Sequence, residues 1–243
     1  MDPAPAQGNG GAFAEYAVVP VSLAAKTNGI DASAAAGLPL AGLTAYQALF
    51  TKTGRTFTGD TLGSLKSGDT ILVIRGATLV GSFAIQLAKH ACAVVTCTAS
   101  SKPNADGVTK TEYVKSIGAD EVIDYTQNEW SEVLQGTQYD MNFDTIGVQD
   151  DWKNAEKVLK KGCDFISVAN FGADFGKNKT NVFKNFLLKS DAADLSELIE
   201  MVSDGKLTVP IDSVVPFTDV PAALTKSLTQ ANAGKIVIQV ASA

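Results

Sequence analysis

Histidine, cysteine and positive charge are scarce in this sequence. One of its 243 residues is histidine, His90, and three are cysteine, Cys92, Cys97 and Cys163. A zinc site built from three or four Cys and His ligands would use nearly all of them, and their spacing matches no ligand pattern. No metal is therefore expected. A single histidine also excludes most triads and histidine-base schemes unless His90 is the base. It falls at the far end of the helix that follows a glycine turn, so it reads as structural. The net charge of −6 has the wrong sign for a nucleic-acid partner. No apolar run approaches the roughly 18 residues of a membrane span. Met1 to Ala6 lacks the basic start and apolar core of a signal peptide. A cytoplasmic protein with neither a membrane nor a nucleic-acid partner is the expectation.

What is present is organised around Thr70 to Ala91. The hydrophobic share of 45% and the charged share of 19% are ordinary for a globular chain that forms one large or two modest domains. Ile71-Leu72-Val73-Ile74 is a short β-branched run that suits a strand buried on both faces. A turn follows, Gly76-Ala77-Thr78-Leu79-Val80-Gly81, and then a helical stretch from Phe83 to Ala91 opened by Ser82. Strand, glycine turn and helix bring backbone N–H groups and a helix N-terminus to a pyrophosphate. The usual spacing is G-x-G-x-x-G, and Thr78 holds the middle position. A P-loop is excluded because Ser82 and Phe83 follow Gly81, where Lys and then Ser or Thr are needed. A degenerate dinucleotide turn and an ordinary βα turn without a ligand both remain open on these residues alone.

Along the chain, Ala12 to Val19 reads as a strand. Asp31 to Ala36 reads as a helix start with Asp31 or Ser33 as cap, and Leu43 to Phe50 as a second helix after an interruption at Leu38–Gly42. Thr53 to Ser67 reads as a polar loop. Strands are expected at 93–98, 121–125, 139–146, 164–169, 214–217 and 236–240. Helices are expected at 112–117, 130–134, 152–159, 195–202 and 220–231. Alternation of this kind from 70 to 240 means an α/β fold, a doubly wound parallel sheet of Rossmann type. Past the second strand, where an acid would bind the ribose 2′-hydroxyl of NAD, stands Ala99-Ser100-Ser101-Lys102. Hydroxyls and a lysine suit a 2′-phosphate and favour NADPH over NADH. No tyrosine has a lysine four residues on, which disfavours a short-chain reductase.

The chain resembles the medium-chain dehydrogenase/reductases of the zinc-free quinone oxidoreductase branch. The stretches that carry the match are Gly11 to Tyr16, Leu38 to Tyr46, Val80 to Lys89, Ile117 to Tyr125, Phe143 to Gly147, Gly205 to Leu207 and Gly234 to Val237. The resemblance implies remnants of a GroES-like β catalytic domain at 1–40 and 209–243, the N-terminal part being truncated, around a dinucleotide-binding domain at 41–208. It implies NADPH as cofactor and a quinone or similar electron-poor enone as substrate. Thr44 would approach the nicotinamide amide. Gly76, Thr78, Leu79, Val80 and Gly81 would lie under the pyrophosphate. Ser100, Ser101, Lys102 and Tyr125 would surround the 2′-phosphate, and Gly147 with Asn170, Phe171 and Gly172 would line the crevice toward the nicotinamide. No acid or base is named. A homodimer or higher homo-oligomer is implied, with Val182 to Leu188 contributing. Departures from the family pattern are Thr78 and Leu79 in place of glycines, Cys92 where a glycine is usual, and an apparent insertion at 103–109. They leave a non-catalytic binding or regulatory protein as the alternative from another class, and an enoyl or alkenal reductase as the alternative enzyme.

Overall fold

A computed structural model describes residues 13–50, 55–56, 62–103, 107–148, 150–169, 181–229, 232 and 234–240. The chain divides into two compact units: Thr44–Lys189, and Met1–Leu43 together with Ser190–Ala243.

In the first of these a single sheet is assembled from β1 (Arg55–Thr56), β2 (Thr70–Ile74), β3 (Val94–Ala99), β4 (Glu121–Asp124), β5 (Tyr139–Asp144), β6 (Leu159–Ser167) and β7 (Val182–Leu187). Their order is β1-β7-β6-β5-β2-β3-β4. Six strands run parallel, and β1 pairs antiparallel with β7 at the edge. The order reverses between β2 and β5. In open α/β sheets that reversal leaves a crevice at the carboxyl ends of the strands, where ligands bind.

The central strand β2 is buried from both sides, as its unbroken apolar run demands. One face carries Leu72, Ile74, Ile123, Trp130, Trp152 and Phe165 in a continuous cluster. Phe165 stacks on Phe183 at 5.5 Å and meets Trp152 edge-on at 5.3 Å. Such offset and edge-to-face pairs contribute about 0.5–1.5 kcal/mol each beyond their burial. The helices α3 (Leu79–His90) and α4 (Lys110–Ser116) pack against β2, β3 and β4, while α5 (Trp130–Val133) and α6 (Asp151–Ala155) follow β4 and β5.

The other unit holds α1 (Ala32–Gly37), the first residues of α2 (Pro39–Phe50), α7 (Ala192–Ser203), the parallel pair β8 (Ile211–Pro216) and β9 (Lys235–Gln239), and α8 (Val220–Leu228) between them. Asp31 caps α1, accepting from the N–H groups of Ser33 and Ala34. Those bonds hold its carboxyl below the usual range.

Several sequence expectations shift. No strand forms over residues 13–19, and Tyr16 and Val18 are more than nine-tenths exposed. A strand needs a neighbour for its N–H and C=O groups, and none pairs with this segment among the described residues. The interruption at 38–42 shrinks to Leu38, because Pro39 opens α2, where its missing N–H costs nothing. Leu159 belongs to β6 rather than to the preceding helix, and β7 is a strand that no expectation covered. The loop at 53–67 contains β1. Cys92 ends α3 with φ +60°. The Cys92 and Ala93 N–H groups return to Lys89 and Ala88 carbonyls, the left-handed helix end that glycine usually fills. The non-glycine residue there costs about 1 kcal/mol.

Candidate functional site

The helix after the glycine turn starts earlier than expected. Ser82 does not open it; α3 begins at Leu79 with Thr78 as its cap. The Thr78 hydroxyl accepts the Gly81 N–H at 3.0 Å and lies 2.9 Å from the Thr145 hydroxyl. Thr145 commits its own proton to the carbonyls of Ile74 and Arg75. Thr78 therefore donates to Thr145 and accepts from Gly81. The residue that breaks the glycine pattern has φ −71°, a value any residue adopts, so nothing in the backbone requires glycine there. It joins the turn to the end of β5 across the point where strand order reverses.

The two remaining glycines have separate reasons. A Cβ on Gly76 would meet Cys97 and Ile85 side chains at 2.9 Å. On Gly81 it would meet the backbone oxygens of Arg75 and Gly76 at 2.7 Å, which fixes glycine where helix and turn touch. The cap takes the Gly81 N–H, and Thr78 O takes the Ser82 N–H. Leu79 and Val80 keep first-turn N–H groups that have no partner among the described residues. These donors, with the positive end of the helix, fit a bound pyrophosphate.

Across the crevice, Asp144 ends β5 wholly buried. It accepts the N–H groups of Ile146 and Gly147 at 3.0 Å and the Ser167 hydroxyl at 2.7 Å. One carboxylate thus shapes the turn carrying Gly147, whose φ is +77°, and ties it to the end of β6. Of the 2′-phosphate candidates, Ser100 is buried at the end of β3, while Ser101 and Lys102 are exposed. The N–H of Tyr125, just past β4, bonds the carbonyl of Ala99. Ser101 and Thr126 hydrogen bonds hold the Asp124 carboxyl below the usual range. Thr44 is buried on α2. Asn170, Phe171 and Gly172 lie outside the described residues.

Three residues that sequence reasoning missed stand in the same region. Thr145 is the partner of Thr78. Arg75 lays its guanidinium over the Tyr125 ring, 3.4 Å from the centroid. Asp151, at the start of α6, is 5% exposed and accepts from Trp130 Nε1 at 3.4 Å. Burial pushes its carboxyl up to about 6, with the charge of Asp144 adding to the rise and that of Arg75 opposing it. A charged residue closing an apolar strand directly before a glycine turn was the visible signal for Arg75.

Among the described residues no group of three His, Cys, Asp or Glu could hold an ion. Cys92 is exposed, Cys97 is buried with its thiol pushed up to about 12 by desolvation, and Cys163 lies half-buried on β6. No described helix is long and apolar enough to cross a membrane.

Strand order, reversal crevice and glycine turn define an α/β unit of the dinucleotide-binding class. A sequence profile described as zinc-binding dehydrogenase matches residues 117–238. The chain is 35% identical to the chloroplastic NADPH-dependent alkenal/one oxidoreductase of Arabidopsis thaliana, covering 94% of this chain and 53% of that protein. It is 33% identical to the chloroplast envelope quinone oxidoreductase homolog of the same plant, covering 95% and 69%. The quinone oxidoreductase structure from Coxiella burnetii superposes with a TM-score of 0.71 at 28% identity, over 85% of this chain and 60% of that one. The chain belongs to the medium-chain dehydrogenase/reductase superfamily, with quinone oxidoreductases among its relatives. It spans between about half and two-thirds of the length of these relatives.

Proposed function

We propose that the chain is an NADPH-dependent oxidoreductase that passes hydride to a quinone or a similarly electron-poor enone. The observation that carries this reading is the end of β3, Ala99-Ser100-Ser101-Lys102, a segment with no acid of its own, beside a glycine turn whose Leu79 and Val80 N–H groups have no partner among the described residues. An acid there would repel a 2′-phosphate; hydroxyls and a lysine can bind one. Family members named quinone oxidoreductase support the substrate class. The names alkenal/one oxidoreductase and 2-methylene-furan-3-one reductase favour an enone as the alternative acceptor.

Hydride donation is the chemistry a reduced nicotinamide supplies. The work of this chain is to hold and orient it. Gly76 to Gly81 would carry the pyrophosphate on backbone N–H groups, and Ser100, Ser101, Lys102 and Tyr125 the 2′-phosphate. Gly147, fixed by Asp144, and Thr44 would border the nicotinamide side, with Asn170, Phe171 and Gly172. The segments 1–40 and 209–243 are read as residual catalytic-domain segments around a dinucleotide domain at 41–208. Cytoplasmic placement belongs to this proposal, although several relatives carry chloroplastic or mitochondrial in their names. Self-association belongs to it as well. β1 pairs with β7 at Phe186 and Leu187, and sedimentation at high micromolar concentration reads the outcome.

A second reading, a family member that binds no cofactor productively, is favoured by the Thr78 hydroxyl joined to Thr145 beside the turn. Titrating NADPH against tryptophan fluorescence separates the two. Both tryptophans, Trp130 and Trp152, lie in the Thr44–Lys189 unit. Saturation at about micromolar NADPH, with NADH weaker, is expected, and silence to millimolar would overturn the enzyme. Thr78→Gly is expected to tighten NADPH binding while costing only about a few tenths of a kcal/mol through the cap. Unchanged affinity would mean that Thr78 does not crowd the site.

A further inference from the structure

We propose that Arg75 is a specificity-determining residue that binds the 2′-phosphate of the dinucleotide, presented for that contact by the ring of Tyr125. The inference rests on the dinucleotide reading and adds a residue to it.

The placement comes from the sheet. Arg75 follows the last residue of β2, and its N–H bonds the Thr98 hydroxyl on β3 at 2.9 Å. Tyr125 follows β4 and is anchored to Ala99 of β3. Because β3 lies between β2 and β4, a guanidinium resting on Tyr125 passes over the carboxyl end of β3. That is where the second strand of a dinucleotide fold meets the adenosine ribose. The backbone is set for this path: φ at Arg75 is +63°, an uncommon left-handed value for a residue with a side chain.

The chemistry comes from what the guanidinium lacks. Among the described residues it has no ion pair and no side-chain hydrogen bond, and its Nη1 is buried without a partner. A buried charged donor left unmade is costly, so a partner from outside the chain is favoured. The acids around it do not fill that role. Asp144 is engaged by Ile146, Gly147 and Ser167, and Asp124 by Thr126 and Ser101. Asp151 attracts Arg75 without reaching ion-pair distance, and burial favours its neutral form. Stacking on Tyr125 covers one face of the guanidinium and leaves its edge for in-plane bonds. Paired N–H donors on that edge match the oxygens of a phosphomonoester. Lys102, exposed just past the end of β3, adds a second positive charge.

The test compares 2′,5′-ADP with 5′-ADP, binding being read by calorimetry on the full chain. Arg75→Asn is the main variant, because asparagine tolerates the left-handed backbone. It is expected to weaken 2′,5′-ADP roughly 10- to 100-fold, the loss of charge-assisted bonds, and to leave 5′-ADP unchanged. Arg75→Lys should recover only part of the loss, since it keeps the charge without the fork. Tyr125→Leu should weaken 2′,5′-ADP alone while Arg75 is still present. Equal weakening of both probes by Arg75→Asn, or a lower urea midpoint with both affinities unchanged, would make Arg75 structural and overturn the proposal. A parent chain that binds both probes equally also overturns it, while the dinucleotide reading stands. A parent chain that binds neither probe removes both.

Discussion

Gly81→Ala is expected to destabilise the Thr44–Lys189 unit by about 1–3 kcal/mol and to abolish dinucleotide binding. The added Cβ would meet the carbonyl oxygens of Arg75 and Gly76 at 2.7 Å. Both contacts are backbone, so no rotamer change relieves them. Either α3 moves off the turn or the turn opens, and each displaces the Leu79 and Val80 N–H groups that would hold phosphate. A lower urea midpoint at unchanged slope, together with lost NADPH binding, is the expected result. Gly136→Ala is the control. Gly136 has φ +91° with nothing within 4 Å of an added Cβ, so its cost is conformational alone. If the two variants lose similar stability and Gly81→Ala still binds, the close approach does not govern the site.

Asp151→Asn is expected to stabilise the protein at alkaline pH, by up to about 3 kcal/mol. The carboxyl rises from an ordinary 3.8 to about 6, chiefly through burial, and each pH unit is worth about 1.36 kcal/mol. The sign follows from linkage. A raised acid favours the folded state while it is protonated. Its contribution is full below about pH 4 and is lost as pH rises through about 6. At pH 8 the parent chain holds an ionised Asp151 near Asp144 with one weak bond from Trp130. The amide removes that charge and can still accept from Trp130 Nε1. The stability gap between variant and parent should therefore widen from pH 4 to pH 8. Carboxyls held low, such as those of Asp120 and Asp140, work in the opposite sense at lower pH and are common to both proteins. A gap independent of pH would mean that Asp151 is not the group titrating near 6.

The sheet was legible because parallel strands buried on both faces leave unbroken apolar runs, as in Ile71–Ile74. Helix starts were legible where a side chain caps them visibly, as Asp31 does. Thr78 was not recognised as a cap because the glycine pattern made it look like a defect in a ligand loop. The same residue answers both demands, and only three-dimensional contact with Gly81 and Thr145 separates them. The strand expected at 12–19 has the apolar, strand-forming residues Phe13, Tyr16, Val18 and Val19, but composition cannot supply a neighbour. A short apolar run such as Val158-Leu159 suits either element, so the sequence alone places Leu159 in a helix. Arg75 and Asp151 escaped because their significance is a relation: each carries a buried polar atom without a partner, and no spacing along the chain encodes that.

The unit built from the two ends of the chain has a consequence for how the protein is made. Helix α1 packs against β8 and β9, and Gly37 approaches Val209 and Ile211 so closely that a Cβ would lie 2.9–3.0 Å from their side chains. During synthesis α1 leaves the ribosome long before those strands exist. At roughly 5–20 residues per second, β9 follows it by on the order of 10–40 s. Through that interval Leu38 and its neighbours have no native surface to cover them. The central sheet, contiguous from Thr44 to Lys189, can form in the meantime. Shortening the chain before Lys235 should therefore leave a folded sheet carrying an unfolded remainder.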